Sequence, residues 1–216
     1  MPERFRAHFI NSLSGFKSAN LIATQDKDGN TNLAIISSVV HLGTNPALVG
    51  FVMRPDNNAR HTLNNIIATK SYTINQVSQP FYQQAHQTSA RYGKYESEFS
   101  HCNLSTNYID NIEAPFVEQS QLKYAVNLKQ IIPIELNNTQ FIIGQIEHVI
   151  CADEAIQDDG YIDIESLQTV SVSGIDSYHK NQRLNRLSYA KKGVENKPLL
   201  VNGATYIGGK SDESNN

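Results

Sequence analysis

The sequence predicts a mainly β fold with short helices, its antiparallel strands joined in a Greek-key-like order into a barrel. Three observations support this. Two long alternating runs, Gln121 to Leu136 and Gln140 to Ile150, flank Asn137-Asn138-Thr139 as a hairpin. A second pair of apolar runs flanks Asp26-Lys27-Asp28-Gly29-Asn30, where Asp-Gly is a hairpin signal. Strand-like and helix-like segments do not alternate regularly, as a parallel sheet would require. So many paired strands favour a barrel that closes its own edges.

The elements follow in chain order. Phe5, Phe9, Ile10 and Leu13 stand at helical spacing, so residues 2 to 13 predict a short N-terminal helix. Asn20 to Thr24 and Thr31 to His41 are the strands of the Asp-Gly hairpin. In the second, Asn32, Ala34, Ile36 and Ser38 share one face, while Leu33, Ile35 and Ser37 share the other. After the Asn45-Pro46 turn, Ala47 to Met53 is a continuous apolar run, as in a strand buried on both faces. Arg54-Pro55-Asp56-Asn57-Asn58-Ala59-Arg60 ends it. A helix then carries Leu63, Ile66 and Ile67 at i, i+3 and i+4, with Asn57 or Asn58 as cap.

Ser71 to Val77 alternates as a strand, with Thr73 and Asn75 on one face. Gln79 to Asn111 is polar with irregular anchors and reads as a helical excursion or functional loop. In the long hairpin, Leu122, Tyr124, Val126 and Leu128 alternate with Lys123, Ala125, Asn127 and Lys129, and Pro133 marks an edge or bulge. Ser171 to His179 predicts a strand and a turn, and Arg183 to Lys192 a basic patch anchored by Leu184, Leu187 and Tyr189. The chain reads as one domain over residues 1–207, with 208–216 a disordered tail.

At 216 residues and a net charge of −3, no basic field favours nucleic acid. No apolar run is long enough to span a bilayer, and the first residues lack the apolar core of a signal peptide, so a cytoplasmic protein is expected. Cys102 and Cys151 lie far apart and are expected as thiols. Gly-x-Ser-x-Gly, His-Glu-x-x-His and a Gly-x-Gly-x-x-Gly after a strand are all missing, and no metal site is expected. Gly208-Gly209-Lys210-Ser211 lacks the first glycine of a phosphate-binding loop, since Ala204 stands there.

The candidate site begins at the strand and helix ends. Arg54, Arg60 and Thr62 near a helix start suit an anionic oxygen, with the hydroxyls of Ser37 and Ser38 nearby. Singly, such residues are by default solvated. Clustering distinguishes them.

The ordered set of segments resembles the flavin reductase-like, FMN-binding split-barrel family, which includes flavoredoxin. The matching residues are Ala23-Thr24 before Asp-Gly, Asn32 to Ser38, Pro46 to Phe51, Arg60 to Ile66 and Tyr72 to Asn75. Ser89, Glu98-Phe99 and Gly174 to Tyr178 complete the set. The resemblance implies an FMN-binding split β-barrel and a homodimer with flavin near the subunit interface. Asn32, Ser37 and Ser38 would meet the flavin, Arg60 and Thr62 would hold its phosphate, and Asn75, Ser89, Lys94 and Tyr178 are further implied contacts. FMN is the implied cofactor, with FAD the alternative, and NAD(P)H the co-substrate. The ring is expected against Ala34 and Ile36.

The leading reading is an NAD(P)H-dependent flavin reductase in which no side chain is named as an obligatory catalyst. A flavoredoxin-like FMN electron carrier serving a protein acceptor is the alternative. A barrel without cofactor is the third.

Overall fold

The computed structural model describes residues 1–55 and 61–206. Helix α1 (Glu3–Ser12) leads into β1 (Lys17–Ser18), β2 (Asn20–Gln25), β3 (Thr31–Ile36), β4 (Val40–Thr44) and β5 (Ala47–Met53). Helix α2 (His61–Thr69) and β6 (Ser71–Gln76) follow. The excursion then holds α3 (Tyr82–Gln87), α4 (Glu98–His101), β7 (Thr106–Asn107) and β8 (Phe116–Val117). The long hairpin is β9 (Leu122–Ile134) and β10 (Thr139–Cys151). After it come β11 (Val170–Ser173), β12 (Ser177–Lys180), β13 (Arg186–Leu187) and β14 (Pro198–Leu199).

Seven strands form one antiparallel sheet in the order β3-β2-β6-β9-β10-β5-β4. Chain neighbours β3 and β4 lie at its two ends, joined by Ser37-Ser38-Val39, so the sheet curls into a barrel split between them. Alternation assigns the faces. Ile22, Phe51, Tyr72, Ile74, Val126 and Ile142 pack inside. Helix α2 adds Leu63 and Ile66 to this core, burying side chains each worth about 2 kcal/mol of transfer free energy. Leu21, Ala23 and Leu33 point the other way, under Phe81, Phe99, Cys102 and Leu104 of the excursion and Val170 and Val172 of β11.

The predicted α1, β2, β5, β6 and long hairpin all form, and α2 occupies its predicted place from His61 onward. The strand expected over Thr31 to His41 does not run through. It ends at Ile36, and Ser38 Oγ instead accepts from Val52 N at 3.0 Å and donates to Val52 O at 3.2 Å, replacing one rung of a ladder. β9 pairs with β6 only over Lys123 to Asn127, so Pro133 stands where one side of β9 has no neighbouring strand, as an edge proline requires. The bulges fall instead at Ile143/Gly144 and Ile146/His148.

Two further expectations change. Lys123, read as part of the polar face of β9, is buried, its ammonium donating to Val117 O at 2.9 Å and Glu118 O at 3.2 Å. Leu184, Leu187 and Tyr189 do not anchor the basic segment, being 94%, 57% and 87% exposed. That segment is held instead by ion pairs of Arg183 with Asp163 and of Arg186 with Asp159. The expected tail over 208–216 lies outside the described residues, as do Asn57 and Asn58. Among the described residues, no helix is long and apolar enough to cross a membrane.

Candidate functional site

One end of the barrel is closed by α2 through paired polar contacts. Thr24 and Asn32 are register partners in the hairpin of β2 and β3 and share the face toward the helix. Asn32 Nδ2 donates to Thr62 Oγ1 at 2.8 Å, and Asn65 Nδ2 donates to Thr24 Oγ1 at 3.1 Å. All four side chains are buried, so these bonds fix the first turns of α2 against the strands where an unpaired amide would be costly.

Beside these contacts opens a cleft of about 510 Å³, between the Asp26–Asn30 turn, the start of β3, the exposed side of α2 and Lys94. Lys27, Lys94 and His61 bring cationic or protonatable nitrogens to it, and Asn30, Asn32 and Asn64 bring amides. The turn is rigidly built: Asp26 Oδ1 accepts from the backbone N–H groups of Asp28 and Asn30, both at 2.9 Å, and its Oδ2 accepts from Asn30 Nδ2 at 2.9 Å. The Asn30 side chain, more than any other group, holds the Asp26 carboxyl below the usual carboxylate range, with the charge of Lys94 a lesser cause. The cleft thus sets amide donors, two lysines and a histidine beside the carboxylates of Asp26 and Asp28, a lining able to hold a phosphate ester at its lysines and a polyol at its amides.

Of the residues expected from sequence, Asn32 and Lys94 line this cleft, and Thr62 lies directly behind Asn32. Arg60 lies outside the described residues; it immediately precedes His61, which lines the cleft. The others are placed elsewhere. Arg54 is exposed just past the end of β5, and Ser37 is half-buried at the corner between β3 and β4. Ser38 is committed to Val52. Asn75 is fully buried, donating to Leu21 O and Thr73 Oγ1 and accepting from Val117 N at 2.8 Å.

Ser89 is exposed after α3, its N–H given to His86 O. Tyr178 belongs to an aromatic group with Tyr82 and His86, its hydroxyl 3.0 Å from His86 Nδ1. Burial pushes that hydroxyl up to about 12, with Asp176 adding to the effect. Ala34 and Ile36, expected beneath a ring, are both half-buried, and Ile36 packs against the barrel core.

Sequence reading missed Asp26, Lys27, Asn30, His61 and Asn64 as cleft residues. The signal for the first three was present, since the Asp-Gly turn that marks the hairpin also forms one wall. His61 and Asn64 stand three apart on α2, one face of a helix whose other face carries Leu63 and Ile66.

Comparison with known proteins agrees with this architecture. The profile of the "Flavin reductase like domain" matches residues 13–167, and the chain belongs to that family. A crystal structure from Shewanella frigidimarina NCIMB 400, assigned as a flavin reductase with split barrel domain, shares 54% identity, covers 88% of this chain and 94% of its own, and superposes with a TM-score of 0.85. Nitrilotriacetate monooxygenase component B from Bacillus cereus gives a TM-score of 0.77 at 19% identity, covering 87% of this chain and 95% of its own. Flavoredoxin of Desulfovibrio vulgaris (Miyazaki F) gives 0.68 at 21% identity, covering 83% and 92% respectively. The last two share the split-barrel fold.

Proposed function

We propose that this chain is an FMN-binding oxidoreductase, an NAD(P)H-dependent flavin reductase, and that the cleft beside α2 receives the phosphate and ribityl end of the flavin. The observation that carries this reading is the convergence of Asn32, His61 and Lys94 on one cleft in a chain of the flavin reductase-like family. The described lining fits the polar end of FMN: cationic nitrogens for the phosphate, and amides with the Thr31 hydroxyl for the ribityl chain. Bound flavin supplies acceptance of a hydride from a nicotinamide and its release as electrons to an acceptor.

The chain's own part is positional. Lys94 and His61, with Arg60 before it, attract the phosphate; Asn32, held by Thr62, presents its amide face in one orientation. Ser37, Ser38 and Arg54 are proposed further along the same ligand, and Ser89 and Tyr178 at the excursion and C-terminal sides. Asn75 acts behind the sheet by holding the excursion in place. FMN is the proposed flavin, with FAD the alternative.

A homodimer is part of the proposal. Helix α1 has no buried residue, and its Phe5, Phe9 and Ile10, with Leu13, are exposed, which a second copy would cover. We place the protein in the cytoplasm.

The test is flavin binding and reduction by the purified protein. Yellow protein bleached by NADH or NADPH is expected. Flavin left oxidised by both nucleotides but reduced by a protein donor would replace the enzyme with a carrier. Arg60→Ala and Lys94→Ala should each weaken FMN roughly ten- to hundredfold, the loss of one charge-assisted contact, and leave riboflavin nearly unchanged. Equal losses for both flavins would remove these side chains from the phosphate.

A further inference from the structure

A second cleft, of about 390 Å³, adjoins the first. Thr31 lines both, and its hydroxyl lies 2.7 Å from Ser97 Oγ, so this pair forms the ridge between them. The two differ in chemistry. The first holds lysines, a histidine and aspartates, whereas no Lys, Arg, His, Asp or Glu lines the second.

Its wall is made of hydroxyls over an apolar floor. Phe99 and Leu104 are buried beneath, and the ring of Tyr108, whose hydroxyl donates to Gln25 Oε1 at 2.7 Å, stands at one side. Ser100, Ser105 and Thr106 are exposed around it, and their hydroxyls make no hydrogen bond to any described residue. Local structure sets their positions. Ser100 belongs to α4, and Thr106 to β7, which pairs with β8. Ser105 is held through its backbone, its N–H given to Gln119 Oε1 and its carbonyl accepting from Glu118 N.

Resting on the flavin reductase reading above, we propose that this second cleft binds the adenosine half of the hydride donor and selects a dinucleotide without a 2′-phosphate, that is NADH over NADPH. Uncommitted hydroxyls both donate and accept, which matches a ribose diol, and an aromatic side wall suits a purine. The cleft's volume falls within the range of small-molecule sites. A 2′-phosphate entering it would surrender water for neutral hydroxyls alone, with no cation to offset its two charges. The shared ridge at Thr31 places this half of the donor next to the flavin cleft.

The test has one arm that needs no flavin chemistry. Calorimetric titration of the protein with 5′-AMP and with adenosine 2′,5′-bisphosphate should show 5′-AMP binding at least about tenfold more tightly, the discrimination expected where a charge finds no partner. Tyr108→Ala should weaken 5′-AMP, and Ser105→Lys, at an exposed position, should move the preference toward the bisphosphate by about tenfold. In turnover, NADH should show the higher kcat/KM, with Ser105→Lys narrowing the gap. Equal binding of the two adenosine nucleotides, binding insensitive to both substitutions, or preference for NADPH would overturn the proposal. If FMN binds normally in these variants and the adenosine results fail, only the second cleft is refuted. Failure of FMN binding in the unaltered protein refutes the flavin reading itself, while the 5′-AMP titration still reports on the second cleft.

Discussion

The inner and outer faces of the same strands are held by different forces. Inside the barrel, Ile22, Phe51, Ile74 and Ile142 belong to one apolar cluster, and among the described residues the one buried side-chain polar atom without a partner is the Tyr72 hydroxyl there. Outside, the sheet is joined to its cover by polar bonds. Asn75 accepts from Val117 N, Thr73 donates to Pro115 O at 2.6 Å, Lys123 donates to Val117 O, and Glu98 accepts from Leu33 N at 2.8 Å. The interior depends on volume and alternation, which tolerate exchange among apolar residues of like size. The cover depends on particular atoms, and each lost partner strands another.

The largest test of this contrast is Asn75→Ala. It leaves Val117 N without its acceptor in a fully buried setting and removes the donor to Leu21 O. One stranded backbone N–H, together with the lost amide bonds, predicts about 2 kcal/mol of lost stability, read as a lower urea midpoint with unchanged slope. The excursion over 79–117 should also become more open to proteolysis than the barrel. A loss below about 1 kcal/mol, an ordinary substitution, would show that apolar contacts alone hold the cover.

Next comes the interior. A Cβ at Gly144 would press on the Tyr72 hydroxyl and the Val126 side chain and lie 3.0 Å from Asn127 O. Gly144→Ala should therefore cost about 1–3 kcal/mol through overpacking. Gly144→Ala combined with Tyr72→Phe should recover part of that loss, since removing the orphan hydroxyl gives space and leaves no partner unsatisfied. An unrecovered loss would place the strain at the backbone of β9 instead.

These two positions also explain how much was legible in the sequence. Strand alternation set Thr73 and Asn75 on one face and Leu122, Tyr124, Val126 and Leu128 on another, and the Asp-Gly turn and long hairpin marked two of the strand pairings, because these signals are local. The corner at Ser38 was not legible, since a run of strand-like residues does not reveal that a hydroxyl will replace a ladder bond 14 residues away. Lys123 and Glu98 were hidden for the same reason: a charged residue reads as solvated until the segment that covers it is known. Of the candidate residues, the sequence showed the types but not their spatial grouping. Asn32 and Lys94, far apart in sequence, line one cleft, whereas the Asn75 amide is fully used behind the sheet.

The smallest effect, and the one that most sharpens the contrast, concerns Glu98. Burial raises its pKa above the ordinary value of 4.5, against the opposing bonds from Leu33 N–H and its own backbone. The folded state then binds the proton more strongly than the unfolded chain, so stability falls as pH rises through the folded pKa. Glu98→Gln keeps an oxygen for Leu33 N–H but never ionises. Its urea midpoint should match that of the unaltered protein below the ordinary carboxylate range and exceed it as pH rises through the raised Glu98 pKa, levelling off above it, once differences from other carboxylates cancel between the two proteins. The reverse trend, with the unaltered protein gaining on the variant as pH rises, would mean that the carboxylate's bond to the β3 edge outweighs its desolvation, making Glu98 an ionic clamp on the strand that carries Asn32.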